Sequence, residues 1–153
     1  MQALGALGVA GAAGALTLGV PARVAAQQLG VHERVEDGLR RVFGSRPLKD
    51  GSGLVKLETP LIAENGAVVP VAVEVSSPMT AADHVTSVYL VADTNRIPII
   101  MRATFTAQSG QAYLGATVRL GETGAVRAIV EQSDGTLLQV RREVKVTVSG
   151  CGG

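Results

Sequence analysis

The sequence predicts an all-β fold, a sandwich of about seven antiparallel strands with a short helix before it and a glycine-rich tail after it. Three observations carry this. The chain is 46% hydrophobic and 18% charged, so one domain with a real core is expected rather than disorder. Aromatic residues are scarce, with two Tyr, two Phe and no Trp, so the core must come from Val, Leu, Ile and Ala, and branched residues of this kind favour strands. From Leu54 onward, short apolar runs are broken by turn residues every ten or so positions, and no helix-length pattern recurs.

The chain opens "MQALGALGVAGAAGALTLGVPARVAA", residues 1–26, with no acid and Arg23 as the one base. This resembles the apolar region of a signal peptide closed by the small residues Val24, Ala25 and Ala26, and cleavage is expected before Gln27. A membrane anchor is the alternative: Met1 to Ala22 is long enough to span, but Gly and Ala insert weakly. No Lys or Arg precedes the apolar run, so a start codon further upstream is expected. The whole chain has 14 basic and 13 acidic residues; loss of Arg23 leaves 13 of each. A neutral body without a basic block argues against nucleic acid as a partner.

Residues 27–53 are expected to form a helix and a linker. In "VHERVEDGLRRVFG", Val31, Val35, Leu39 and Val42 form one apolar helical stripe, interrupted by Gly38, and Gly44 is a stop signal. The helix is expected to pack on its own domain rather than on a partner. "SRPLKDGSG" then reads as a loop.

The sandwich is expected over residues 54–148. Its seven runs are Leu54 to Ile62, Val68 to Val75, His84 to Ala92, Ile97 to Phe105, Gln111 to Leu120, Ala125 to Gln132 and Thr136 to Val148. Turns are signalled by Asn65-Gly66, Ser109-Gly110, Gly121 to Gly124 and Asp134-Gly135. Alternation assigns faces: Val69, Val71, Val73 and Val75 share one, as do Ala112, Leu114, Ala116, Val118 and Leu120. In the last run Val144, Val146 and Val148 point inward, with Lys145 and Thr147 outward. Pro70 lacks an amide donor and belongs at an edge or bulge; Pro98 starts or interrupts its strand.

The usual catalytic constellations are absent from the sequence. His32 and His84 stand alone, without further ligands at metal spacing. "GQAYLG" and "GETGAV" join strand to strand and read as hairpin turns rather than phosphate loops. Glu64, Asp83, Asp93, Glu122, Glu131 and Asp134 are scattered over turn and surface positions and are expected to be solvated.

The single cysteine, Cys151, lies in the tail "SGCGG", residues 149–153, without apolar neighbours to bury it. An exported chain with an odd cysteine either pairs it between molecules or keeps a reactive thiol. Gly150, Gly152 and Gly153 leave the backbone free and the sulfur uncrowded, and five residues past Val148 span on the order of 15 Å when extended. Such an arm presents a group carried on sulfur. No cation in the tail lowers the thiol pKa, so activation is expected from the enzyme that receives it.

These residues resemble a known family, the SoxY-type sulfur-carrier subunit of bacterial thiosulfate oxidation. The resemblance runs through "RRVFGSRPL", "IAENGAVVPVAVEVSSPMT", "ATFTAQSGQAYLGATVRL" and above all "VKVTVSGCGG". The family tail is Gly-Gly-Cys-Gly-Gly; Gly150, Cys151, Gly152 and Gly153 match it and Ser149 replaces its first glycine. The resemblance implies an immunoglobulin-like sandwich in the periplasm, paired with a SoxZ-type β-sandwich subunit as a heterodimer. It implies that a cytochrome c complex joins thiosulfate oxidatively to Cys151 as a cysteine S-thiosulfonate. A hydrolase then releases sulfate, and in some organisms a sulfane dehydrogenase oxidises the remaining sulfur. The chain is then a carrier rather than an enzyme, Ser149, Gly150, Gly152 and Gly153 give the arm its flexibility, no metal or organic cofactor is expected, and no membrane contact follows signal cleavage. Two other readings stand beside it. Small β-grasp sulfur carriers also end in Gly-Gly, but they carry sulfur on the terminal carboxylate of a shorter, cytosolic domain. A secreted binding or structural sandwich would use Cys151 for an intermolecular disulfide, and Gly152 and Gly153 would then be replaceable.

Overall fold

A computed structural model describes residues 32–150. The expected signal segment, residues 1–26, lies outside them, as do Val31 of the helical stripe and Cys151, Gly152 and Gly153 of the tail. Within them, the chain is one helix followed by nine strands: α1 (Val35–Phe43), β1 (Leu48–Asp50), β2 (Val55–Glu58), β3 (Ile62–Ala63), β4 (Val69–Val75), β5 (Val85–Ala92), β6 (Ile99–Thr104), β7 (Ala112–Val118), β8 (Gly124–Gln132) and β9 (Leu137–Val146). A single 3-10 turn, Ala107–Ser109, separates β6 from β7.

The strands form two layers. The larger sheet runs β1-β9-β8-β5-β6, with β3 also beside β9; the smaller runs β2-β4-β7. The fold class is therefore the expected β-sandwich, with two corrections to strand number and direction. "SRPLKDGSG", read as a loop, contains β1, and the first predicted run divides into β2 and β3. Both short strands, β1 and β3, pair with β9 in parallel, whereas the remaining ladders are antiparallel.

Valine alternation builds the core between the layers. Val69, Val71, Val73 and Val75 on β4 are all buried and face Val88, Leu90 and Ala92 of β5, Val126, Ala128 and Val130 of β8, and Leu138 and Val144 of β9. β7 turns Ala112 and Val118 into the same cluster, with Leu114 and Ala116 against its margin. Pro70, expected at an edge or bulge, sits instead on β4, the middle strand of the small sheet. β2 ends opposite Ala72, so at Pro70 the strand is paired with β7 alone and is locally an edge, where proline is tolerated. Pro98 precedes β6 and accepts from the Ala92 amide at 2.8 Å.

Helix α1 covers the outer face of the larger sheet. Phe43 joins Tyr89, Val91, Ile129 and Leu137 in a second cluster, against which Val35, Leu39 and Val42 pack. The apolar stripe is thus spent on the protein's own sheet. Glu36 and Asp37 in the first turn and Arg40 and Arg41 in the last complement the helix dipole. Gly44, at φ 64°, ends the helix and donates to Arg40 O. Gly38 does not interrupt it: a Cβ there would lie 3.3 Å from the Pro98 ring, so glycine permits the helix to settle on the start of β6.

Candidate functional site

The tail leaves the sandwich from the end of β9, and the residues around that exit are built by three segments. Beyond Val146 the chain continues to pair with the segment after β3. The Thr147 amide donates to Ala63 O at 3.0 Å and the Gly66 amide to Val148 O at 2.7 Å, while the Thr147 hydroxyl donates to Glu64 O at 3.0 Å. The stretch just after β7 closes the junction. The Leu120 amide donates to Gly66 O at 2.7 Å, and Leu120 O accepts from the Gly150 amide at 3.1 Å. Thr123, in the turn before β8, accepts from the Val146 amide at 2.9 Å.

Two glycines make this closeness possible. A Cβ on Gly150 would fall 2.6 Å from the carbonyl carbon and oxygen of Gly66 and 2.7 Å from the Ala67 nitrogen. A Cβ on Gly66 would overlap Leu120 O and lie 2.8 Å from the Gly150 nitrogen and 2.9 Å from Val146 Cγ1. Apart from Val146 Cγ1 these are backbone neighbours that cannot swing aside, so both positions exclude a side chain. Gly66 is itself placed by the expected Asn65-Gly66 turn, in which Asn65 Oδ1 accepts from the Ala67 amide at 2.9 Å.

The sandwich consequently holds the chain as far as Gly150. Ser149 is exposed but Gly150 is buried and hydrogen-bonded, so Gly150 serves close packing rather than flexibility. Val148, expected inward, lies past the end of β9 and is 62% exposed. Cys151, Gly152 and Gly153 follow directly and lie outside the described residues.

The other candidate residues are not gathered into a site. His84, half-buried, has Nδ1 3.0 Å from Thr80 O, and His32 is exposed at the foot of α1. Among the described residues no group of three or more His, Cys, Asp and Glu is arranged to hold a metal, and no helix is long and apolar enough to cross a membrane. Two carboxylates read as solvated are paired instead. Asp93 forms a two-pronged bridge to Arg127 at 2.7 and 2.6 Å, with side chains only 14% and 16% exposed. Glu131 meets Arg46 at 2.6 Å. The Asp93 carboxylate holds Arg127 above its usual pKa, and Arg127 also reaches Gln139 Oε1 at 3.2 Å.

The remaining clear shifts in titration have local causes. Hydrogen bonding from Arg41 lowers Glu33, the Ser52 hydroxyl and amide lower Asp50, and the Thr136 amide lowers Asp134. Glu58 raises Lys56. A groove of about 730 Å³ is lined by β1, β2 and Gln139 to Arg142, well before β9 reaches the tail. Sequence reasoning did not anticipate Asn95. Buried between the loops, it donates to Arg119 O at 2.8 Å and accepts from the Gly121 amide at 3.0 Å, tying the β5–β6 loop to the β7–β8 turn.

Comparison with known proteins places this geometry in context. The model of a family described as "Sulfur oxidation protein SoxY" matches residues 39–151, a stretch that runs from α1 through to Cys151. The solved structure of the sulfur carrier protein SoxY from Chlorobium limicola f thiosulfatophilum is 28% identical, with a TM-score of 0.63, and covers 75% of this chain and 97% of its own. Superoxide reductase (neelaredoxin) from Ignicoccus hospitalis is similar at 22% identity and TM-score 0.54, over 61% of this chain and 80% of its own. Superoxide reductase from Nanoarchaeum equitans is similar at 17% identity and TM-score 0.52, over 63% and 99%. At these identities the two reductases share the fold alone. No curated protein matches the chain.

Proposed function

The chain belongs to the SoxY family of sulfur oxidation proteins, and from that premise we propose that it carries thiosulfate-derived sulfur covalently on Cys151 and presents it to partner enzymes in the periplasm. It is a sulfur carrier rather than a catalyst. The observation that carries the finer reading is the family match running to Cys151 itself, the chain being held by the sandwich as far as Gly150, the residue before it.

The chemistry asks little of the carrier. Loading joins the Cys151 thiol to thiosulfate as R–S–S–SO₃⁻, releasing one proton and passing two electrons to the oxidising cytochrome c complex. Hydrolysis by the partner hydrolase cleaves the terminal S–S bond with water, releasing sulfate and two protons and leaving R–S–S⁻. A sulfane dehydrogenase acts on that remaining sulfur. Each step is catalysed outside this chain, so Cys151 needs access and a leaving path more than a resident base. A SoxZ-type β-sandwich subunit is the stable partner in this reading.

The test is intact mass spectrometry of the mature protein incubated with thiosulfate and the oxidising cytochrome. A reductant-labile adduct of thiosulfate mass on the peptide holding Cys151, absent in Cys151→Ser, supports the carrier. A wild-type thiol that stays unmodified refutes it.

A further inference from the structure

We propose that Gly66, with the Leu120 backbone, is a positioning residue for the sulfur attachment site, anchoring on the sandwich Gly150, the residue directly before Cys151. Gly66 belongs to the turn between β3 and β4, far from the tail in sequence and outside the Gly-Cys-Gly-Gly motif.

Three hydrogen bonds converge there: Gly66 amide to Val148 O, Leu120 amide to Gly66 O, and Gly150 amide to Leu120 O. They draw on the segment after β9, on the β3–β4 turn and on the stretch just after β7, so connections from both sheets share in the anchor. The backbone contact between Gly66 and Gly150 leaves no room for a methyl group on either residue. Covalent geometry then holds the Cys151 Cα about 3.8 Å from that of Gly150, whereas an arm loose from Val148 would roam on the order of 15 Å. Fixing the residue before Cys151 narrows the orientations an enzyme must sample to reach the thiol. A glycine at position 66 chosen only for its turn would not require a second glycine at 150.

The significance for sulfur transfer rests on the carrier reading; the anchor itself does not, and the experiment separates them. Amide exchange is followed by NMR on the full chain, and motion of the tail by a nitroxide attached to Cys151. The Gly66 and Gly150 amides are expected to exchange at least a hundredfold slower than in a free peptide. Gly66→Ala is expected to speed Gly150 exchange at least tenfold and to narrow the nitroxide lines, while strand β8 amides stay protected. Loading of Cys151 by thiosulfate and the cytochrome should then fall at least fivefold, with alkylation by iodoacetamide within twofold of wild type. Should Gly66→Ala fail to fold, Gly150→Ala probes the same contact from the tail. A Gly150 amide that exchanges like a free peptide in the wild type, or exchange unchanged in the variants that fold, overturns the anchor. Normal loading by a variant whose Gly150 is shown to be released overturns the positioning role. A protected Gly150 in a wild-type chain that accepts no thiosulfate group supports the anchor and refutes the carrier.

Discussion

Replacing Phe43 by alanine should destabilise the whole domain, because the helix and the sandwich share one cluster of side chains. Phe43 is 3% exposed and meets Tyr89 edge to face, with ring centroids 4.8 Å apart and planes at 78°. Tyr89 is in turn covered by the Arg102 guanidinium, 5.3 Å from its ring centroid, so the ring is held by contacts beyond Phe43. Burial of a phenylalanine of this kind is lost at a cost of about 3–5 kcal/mol on truncation to alanine. A single nine-residue helix forms the lid of the cluster and can settle inward, which favours the lower end, near 3 kcal/mol. The edge-to-face contact accounts for roughly 1 kcal/mol of this, so Phe43→Leu should cost about that much. Urea unfolding followed by far-UV circular dichroism and by tyrosine fluorescence measures both. A loss of 3 kcal/mol lowers the midpoint by on the order of 1–3 M. With two tyrosines and no tryptophan, of which Tyr89 is buried, the emission reports this cluster directly. A loss below about 1 kcal/mol, or a helix that melts before the sheets in the wild type, would show that α1 lies on the sandwich without sharing its cooperativity.

Three further outcomes follow from the same contacts. Asp93→Asn removes the carboxylate bonded to Arg127 and leaves neutral acceptors, the Asn oxygen and Gln139, in a mostly enclosed site; it should destabilise by about 2–3 kcal/mol in urea, given the 14–16% exposure that tempers the cost of a broken buried pair. Asn95→Ala removes two hydrogen bonds at a buried position and should cost about 2 kcal/mol, with faster amide exchange at Gly121 as its local signature. On acidification, Glu33, Asp50 and Asp134, all depressed below their ordinary values of 4.5, 3.8 and 3.8, bind protons more weakly folded than unfolded. Their contribution is complete above those ordinary values and is lost as pH falls through the lower folded ones. Thermal midpoints should therefore be flat with respect to these groups from pH 7 to 5 and fall below about pH 4; Glu33→Gln should flatten part of that fall.

The sandwich was legible because strand periodicity is local. Side chains alternate every residue, so Val69 to Val75 announce their buried face without knowledge of any partner, and the Asp134-Gly135 turn follows from backbone freedom at Gly135, whose φ is 84°. Leu48–Asp50 could not be read this way. Three residues between Pro47 and Gly51 carry no period, and they become a strand only because β9 offers a parallel edge at Leu137 to Gln139. The partnership of Asp93 with Arg127 was hidden for the same reason: the two stand apart in the chain, and only strand register brings them together.

The site divides along the same line. The sequence alone identified a lone thiol among glycines, its likeness to a carrier tail, and an apolar stripe on the helix before it. Where that stripe docks, and how far the tail is bound, were decided by tertiary structure. Glycine in a sequence reports permission, either to bend or to be approached, and it does not say which. At Gly150 the answer came from the Gly66 backbone, placed against it by the closure of two sheets, because a contact between distant residues depends on register and packing that no local pattern contains.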